Sequence, residues 1–311
     1  MRKPIDGQAL GIMAVLCAIW GFQQIAIKAA GPDIAPTLQM ALRSGIAALL
    51  VAILMAWRGE SLNLARGPWK PGLFIAVLFA LEFLFIGEGL RHTTASHMSV
   101  FLYTAPFFAA IGLHWRLPEE KLRPLQWVGI ALAFIGIVVA FFGPDSHQNP
   151  QTARDMLLGD FFAVLAGAAW GFTTVVIRCT SLSDTPPSKT LLYQLLGAFV
   201  LLLIATNLMG QTQMRITPVA VGSVLFQAVV VSFITYLSWF WMLRRYLAAQ
   251  LGVFSFMTPL FGIVFGAWIL DETIDPSFLL GALLVAVGIV FVSGHRWLGQ
   301  WMGRLQAQRK T

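Results

Sequence analysis

The chain has 311 residues, of which 58% are hydrophobic and 11% charged, with a mean hydropathy of +0.75. Soluble domains carry roughly 25% charged residues, so this chain lacks the polar surface to coat a water-soluble globule, and lipid must be its main solvent. The formal net charge of +7 would suit nucleic acid or acidic lipid, and the placement of the charges decides between them.

A membrane-spanning helix needs about 20 mostly apolar residues. Ten such runs are predicted, at 8–29, 36–57, 71–91, 95–116, 124–142, 157–177, 190–209, 218–243, 248–270 and 277–296. Turn chemistry separates them, as at Gly31-Pro32-Asp33, Arg66-Gly67-Pro68, Gly143-Pro144-Asp145 and Thr185-Pro186-Pro187. Arg2 and Lys3 precede the first run, but it is too long for a signal-peptide core and no small-residue cleavage site follows, so it reads as a span. The longest break divides five runs from five. The expected organisation is therefore a first repeat at 1–143, a periplasmic connector at 144–156, a second repeat at 157–296 and a basic cytoplasmic tail at 297–311. In that tail Trp297, Trp301 and Leu305 recur every four residues, which suits either a short helix on the inner leaflet or an unstructured basic segment.

With the N-terminus inside, sixteen of the 21 Lys and Arg residues fall in cytoplasmic segments and four outside, with Arg43 left within a span. That skew follows the positive-inside rule and puts both termini in the cytoplasm of a bacterial-type inner membrane. The basic residues form no single stripe, so no nucleic-acid partner is expected. Cys17 and Cys179 lie in or at the end of apolar runs and suggest neither a disulfide framework nor a metal site.

The two halves repeat. Trp20-Gly21-Phe22 and Trp170-Gly171-Phe172 match at an offset of 150, and Pro106, Leu117 and Glu119 align with Pro259, Leu270 and Glu272 at 153. Gly129 and Gly136 align with Gly281 and Gly288 at 152. An odd number of spans per half makes the copies inverted across the membrane. Such a pair can rock to open a midplane site to either side in turn. The fold expected is thus an all-α membrane protein of ten transmembrane helices in two inverted five-helix repeats.

Trp20-Gly21-Phe22, the Arg244-Arg245-Tyr246-Leu247-Ala248-Ala249 stretch, Phe254 through Pro259 and Leu270-Asp271-Glu272 resemble the EamA-type branch of the drug/metabolite transporter superfamily. The likeness covers nearly the whole chain and occurs in both halves. Pro118 before Glu119, with Glu120 after it, departs from the family pattern. The resemblance implies ten spans, a central cavity lined mainly by the first, third, fourth, sixth, eighth and ninth, and export or facilitated passage of amino acids and similar small metabolites.

Arg43 and Glu82 are charges inside predicted spans, about 10 Å and 14 Å from the outer end at about 1.5 Å per residue. They face the interior as a substrate or proton site, or as a structural ion pair. Trp20 and Trp170 lie mid-span and either line the cavity or pack between helices. Gln23, Gln24, Tyr103, Thr173, Thr174, Tyr236 and Trp239 are further cavity candidates; some will only bond between helices. Glu88 and His92 are four apart, with His97 following; they form either a proton relay at the outer mouth or a water-exposed interfacial group. Pro106 and Pro259 occupy equivalent places, and each frees a carbonyl four residues back, as a hinge or a passive kink. The paired glycines suit close helix packing or a homodimer contact.

No His-Glu-x-x-His, paired-Asp, Gly-x-Ser-x-Gly or Walker A pattern occurs, so neither an enzyme nor a coupling ATPase is expected. No cofactor is expected either, and the partners are a small-molecule substrate and the bilayer. A channel would favour a continuous polar stripe, which the runs lack. A secondary or facilitative carrier, exporting its substrate, is the function the sequence favours.

Overall fold

The computed structural model describes residues 6–117, 121–122, 124–142, 150–246, 251, 254–255, 257–288 and 290–291. Among them the secondary structure is helical, with no strand; one isolated bridge joins Ile34 to Met214. In chain order the helices are α1 (Gly7–Ala30), α2 (Pro36–Trp57), α3 (Trp69–His92), α4 (Ala95–Leu102), α5 (Ala105–Arg116), α6 (Pro124–Phe142), α7 (Pro150–Cys179), α8 (Pro187–Leu208), α9 (Pro218–Leu225), α10 (Tyr236–Arg245), α11 (Met257–Ile269) and α12 (Pro276–Gly288). A π-helical stretch, Phe226–Thr235, joins α9 to α10.

Among the described residues, seven helical stretches are long and apolar enough to cross a membrane, and α6, α11 and α12 contribute shorter apolar helices. Their outer faces are apolar: Leu49 and Ile53 on α2, Val200 and Ile204 on α8, and Leu260, Val264 and Trp268 on α11 are all exposed. An apolar coat that continuous is stable only against hydrocarbon. The protein is a multi-pass membrane protein.

Local chemistry sets the helix ends. Asp6 caps α1 by accepting from the Ala9 N–H at 2.9 Å, and Thr217 caps α9 through the Ala220 N–H at 3.1 Å, each satisfying a donor the helix leaves open. Prolines open α2, α8 and α9, where the missing N–H costs nothing. The helix that carries the sixth predicted run starts before the run does, within the predicted connector. Hydropathy ends it at 156, but α7 already begins at Pro150, because Gln151 through Met156 are compatible with helix although too polar for lipid. The remaining connector residues, the turn at 118–120, the start of the ninth predicted span at 247–250 and the tail beyond 291 lie outside the described residues.

Helices from before residue 143 pack against helices from after 150. α3 runs along α7 and α8, α2 along α8, α5 along α7, and α1 and α4 along α11. Glycine permits the closest of these approaches. A Cβ on Gly136 would strike the Gly281 carbonyl, and one on Gly288 the Gly129 carbonyl. The four repeated glycines therefore serve contacts between α6 and α12 of the same chain.

The fourth predicted run, 95–116, is interrupted just before Pro106. α4 ends at Leu102, Tyr103 and Thr104 form a turn, and α5 starts at Ala105. Pro106 cannot donate to Leu102, and the carbonyls of Phe101 and Leu102 instead face Gly167 of α7. The freed carbonyl is thus covered by a helix and does not form an open polar spot. Pro259 sits in the first turn of α11, just after a turn at Ser255.

Candidate functional site

Two buried polar clusters lie within the bundle. The first is central. Arg43 on α2 is fully buried; no carboxylate or carbonyl pairs with its guanidinium, and the Tyr236 hydroxyl is the polar group that faces it. Its guanidinium lies over the Phe83 ring, 3.8 Å from the centroid, a cation–π contact that offsets only part of the desolvation. Tyr236 on α10 and Glu82 on α3 are its electrostatic neighbours. Glu82 is buried as well, and its Oε2 has no partner. The two charges are near one another without forming the hydrogen-bonded pair that a structural role requires. Gln24 Oε1 and Ser232 Oγ are likewise buried and unpartnered.

Aromatic side chains adjoin this polar centre. Trp20 donates from Nε1 to Thr235 Oγ1 at 2.8 Å, and its ring meets Trp239 edge-on at 5.7 Å. Trp170 meets Tyr103 edge-on at 5.4 Å. Each tryptophan of the repeated motif thus pairs with an aromatic ring from the other half of the chain. The carriers of these groups are α1, α2, α3, the α4–α5 turn, α7, the π-helical stretch and α10.

Other sequence candidates are used locally. Thr173 donates to the Ala169 carbonyl at 2.9 Å and Thr174 to the Trp170 carbonyl at 3.3 Å, both within α7. Gln23 is buried on α1. Gln39, which drew no notice in the sequence, holds the α1–α2 corner by donating to the Ile27 and Ile34 carbonyls at 3.1 and 3.0 Å, and Gln227 donates to its Oε1 at 3.1 Å.

The second cluster lies at the end of the bundle where α3 turns into α4. Glu88 is bound not by His92 but by Thr37 at 2.9 Å, Gln211 at 2.7 Å and Arg91 at 2.7 Å. His92 is half-buried and joins neither Glu88 nor His97. His97 pairs through Nδ1 with Asp160 Oδ2 at 2.8 Å, and its ring stacks on Phe278 at 3.9 Å. Thr93 donates to the other Asp160 oxygen. Glu272, in the sequence only a marker of the repeat, accepts from the N–H groups of Ala95 and Ser96 at 2.7 and 3.0 Å and from the Ser96 hydroxyl at 2.6 Å. Asp160 escaped sequence reasoning because it is three residues into an apolar run and reads as its polar edge. An acid at that position is itself the signal that could have found it. A groove of about 440 Å³ at the same end is lined by Lys28, Asp33, Arg91 and Gln211 among others, and its lining includes neither Arg43 nor Glu82.

The comparisons with known proteins follow the same outline. The model of the EamA-like transporter family matches residues 8–142 and again 157–294. A Bacillus subtilis protein named as an uncharacterized transporter, YoaV, is 26% identical over 90% of this chain and 94% of its own length. An Escherichia coli protein named as a probable amino-acid metabolite efflux pump is 27% identical, covering 92% of this chain and 96% of that protein. The Escherichia coli inner membrane transporter YedA is 25% identical over 93% of the chain. One crystal structure superposes with a TM-score of 0.65 over 92% of this chain and 97% of the other, at 16% identity, a likeness of fold alone.

Proposed function

This chain belongs to the EamA-like transporter family, and we propose that it is a secondary carrier of the inner membrane that exports small metabolites such as amino acids by alternating access. In this reading ten spans form two inverted five-helix halves, with both termini cytoplasmic and the connector periplasmic. The His97 end then faces outwards. Transport by a member of this family needs no covalent chemistry on the cargo, so the reading assigns no enzymatic step.

The observation that carries the proposal is the unsatisfied state of Arg43 and Glu82. Both are buried and adjacent, no carboxylate or carbonyl pairs with the guanidinium, and Glu82 Oε2 has no hydrogen-bond partner. Buried charges are costly unless paired, and a fold keeps them unpaired where a ligand supplies the partner. A guanidinium offers a planar fork that matches a carboxylate. Arg43 would take the acidic group of an amino acid and Glu82 its ammonium. The aromatic groups Trp20, Trp239, Tyr103 and Trp170 would flank the apolar part. The efflux-pump name of the Escherichia coli relative supports both the cargo class and the direction.

Counterflow in proteoliposomes tests this. Saturable exchange of a labelled amino acid, lost in Arg43→Ala and reduced in Glu82→Gln, is the expected result. Flux far above about 10³ per second, the upper end of typical turnover, would identify a channel and overturn the carrier reading. Wild-type counterflow in both variants would remove the pair from the site.

A further inference from the structure

The cluster at the His97 end joins the two halves of the chain through one short corner. The corner is Thr93–His97, where α3 ends and α4 begins. Two carboxylates from beyond residue 150 hold it. Glu272, on the link between α11 and α12, accepts from the Ala95 N–H at 2.7 Å, the Ser96 N–H at 3.0 Å and the Ser96 hydroxyl at 2.6 Å. Asp160 on α7 accepts from Thr93 and is paired with His97 at 2.8 Å. We propose that Glu272 and Asp160 are a latch across the halves, and that the carrier opens at this end by parting the Thr93–His97 corner from α7 and from the α11–α12 link. The proposal rests on the carrier reading only in assuming that this end opens during transport.

Four observations support it. First, the first-turn N–H groups of α4 have no partner within their own helix. Thr94 accepts from the His97 N–H at 3.1 Å, and Glu272 takes those of Ala95 and Ser96. A carboxylate at that place also meets the positive end of the helix dipole. The cap is supplied from another part of the chain, so it can be withdrawn without unwinding α4.

Second, the corner seats against glycine on both sides. A Cβ on Gly159 would overlap the Thr93 backbone and side chain, and one on Gly266 would overlap both Ser96 Oγ and the Glu272 carboxylate. The fit is close enough to shut the passage; the one ring contact across it is the stack of His97 on Phe278, a flat face that can slide or lift without unthreading. Third, apart from the His97–Phe278 stack, the contacts named above that hold the corner are polar. On parting, each donor and acceptor can exchange its partner for water, whereas separating an apolar seal would expose hydrocarbon surface. Fourth, α4 is only eight residues long and is cut from α5 by the turn at Tyr103 and Thr104. It is a short lever with a break at its far end. Lys28 on α1 donates to the Thr93 carbonyl and belongs to the same half, so it would travel with the corner.

The two carboxylates are positioning residues in this account: they act on cargo only by deciding whether α4 is held. The test uses the full chain with Cys17→Ser and Cys179→Ser. Thr93→Cys with Asp160→Cys replaces one arm of the latch with a pair that oxidation can bridge. The bridged protein should lose at least tenfold of its counterflow rate and recover on reduction. Bridged protein that transports as fast as its reduced form would overturn the proposal. A second arm reads accessibility and needs no transport. Ser232→Cys provides a central reporter thiol, and a charged thiol reagent is applied from the His97 side. Glu272→Gln with Asp160→Asn should speed labelling several-fold. An unchanged rate in the folded protein would overturn the latch, even where counterflow by wild type has established the carrier. Failure of wild-type counterflow together with faster labelling would instead sink the carrier reading and keep the latch.

Discussion

The carboxylates of these two polar clusters differ in how completely they are bonded. At the α3–α4 corner each carboxylate has its donors: Glu88 has three, Asp160 two and Glu272 three. In the centre, Arg43 has no carboxylate or carbonyl partner, only the Tyr236 hydroxyl beside it, and Glu82 keeps a bare oxygen. Glu88, His97 and Asp160 are buried as Arg43 and Glu82 are, so burial alone does not explain the contrast. A saturated network holds structure together, because each buried polar group that loses its partner is penalised. An unsaturated one stores that penalty until a ligand relieves it. The difference separates what holds the bundle from what is available to a cargo.

The largest effect that would break or sharpen this contrast is at Arg43. Arg43→Met keeps much of the volume and removes the charge. If the guanidinium is an unpaired cost, the variant should melt at the same temperature as wild type or higher, since replacing buried charges with apolar residues is often neutral or stabilising by ~1–4 kcal/mol. Counterflow should fall at least tenfold. Loss of activity with gain of stability marks a functional site that the fold tolerates at a cost. A marked fall in melting temperature would show that Arg43 is structural, and the contrast would collapse.

A smaller effect, of opposite sign, is expected at Glu272. Glu272→Ala leaves the Ala95 and Ser96 N–H groups without their partner. Losing a helix cap costs about 0.5–2 kcal/mol, which corresponds to a few degrees of melting temperature in detergent. Glu272 is therefore expected to matter more for stability than Arg43, although it lies farther from the centre. A thermal shift series on both variants measures this directly. Equal or greater stability in Glu272→Ala would place the second cluster in the same class as the first.

How much of this was legible in the sequence depended on which physical signal carried it. Spans were readable because a run of apolar residues has one explanation in lipid, and α2, α3 and α6 match their predicted runs closely. The start of α7 was not, because Gln151 to Met156 are silent on a hydropathy scale while still able to form helix. The π-helical stretch from Phe226 to Thr235 leaves no periodic trace, since a shifted hydrogen-bond register is settled by packing. Arg43 and Glu82 stood out as charges deep in apolar runs. The pairing of His97 with Asp160 spans 63 positions, and no spacing rule reaches that far. Glu88 misled for the converse reason: His92 stood four residues away on the same face, but partners from α2 and from beyond α8 claimed the carboxylate.

The smallest expected effect falls on two residues that the sequence placed with the cavity. Thr173 and Thr174 spend their hydroxyl protons on carbonyls one turn back in α7, as buried threonines in helices commonly do. Their oxygens are thereby committed to the helix and do not join the unsatisfied centre. Thr173→Val and Thr174→Val preserve shape and lose only that internal bond, so stability should stay within about 0.5 kcal/mol of wild type. Counterflow should stay within about twofold, well short of the tenfold change that corresponds to 1.4 kcal/mol. The comparison with Arg43 makes this weak expectation informative. If Thr173→Val lost as much transport as Arg43→Met while remaining folded, a side chain that is satisfied at rest would have to re-aim towards cargo, and the absence of a partner would no longer distinguish binding groups from structural ones.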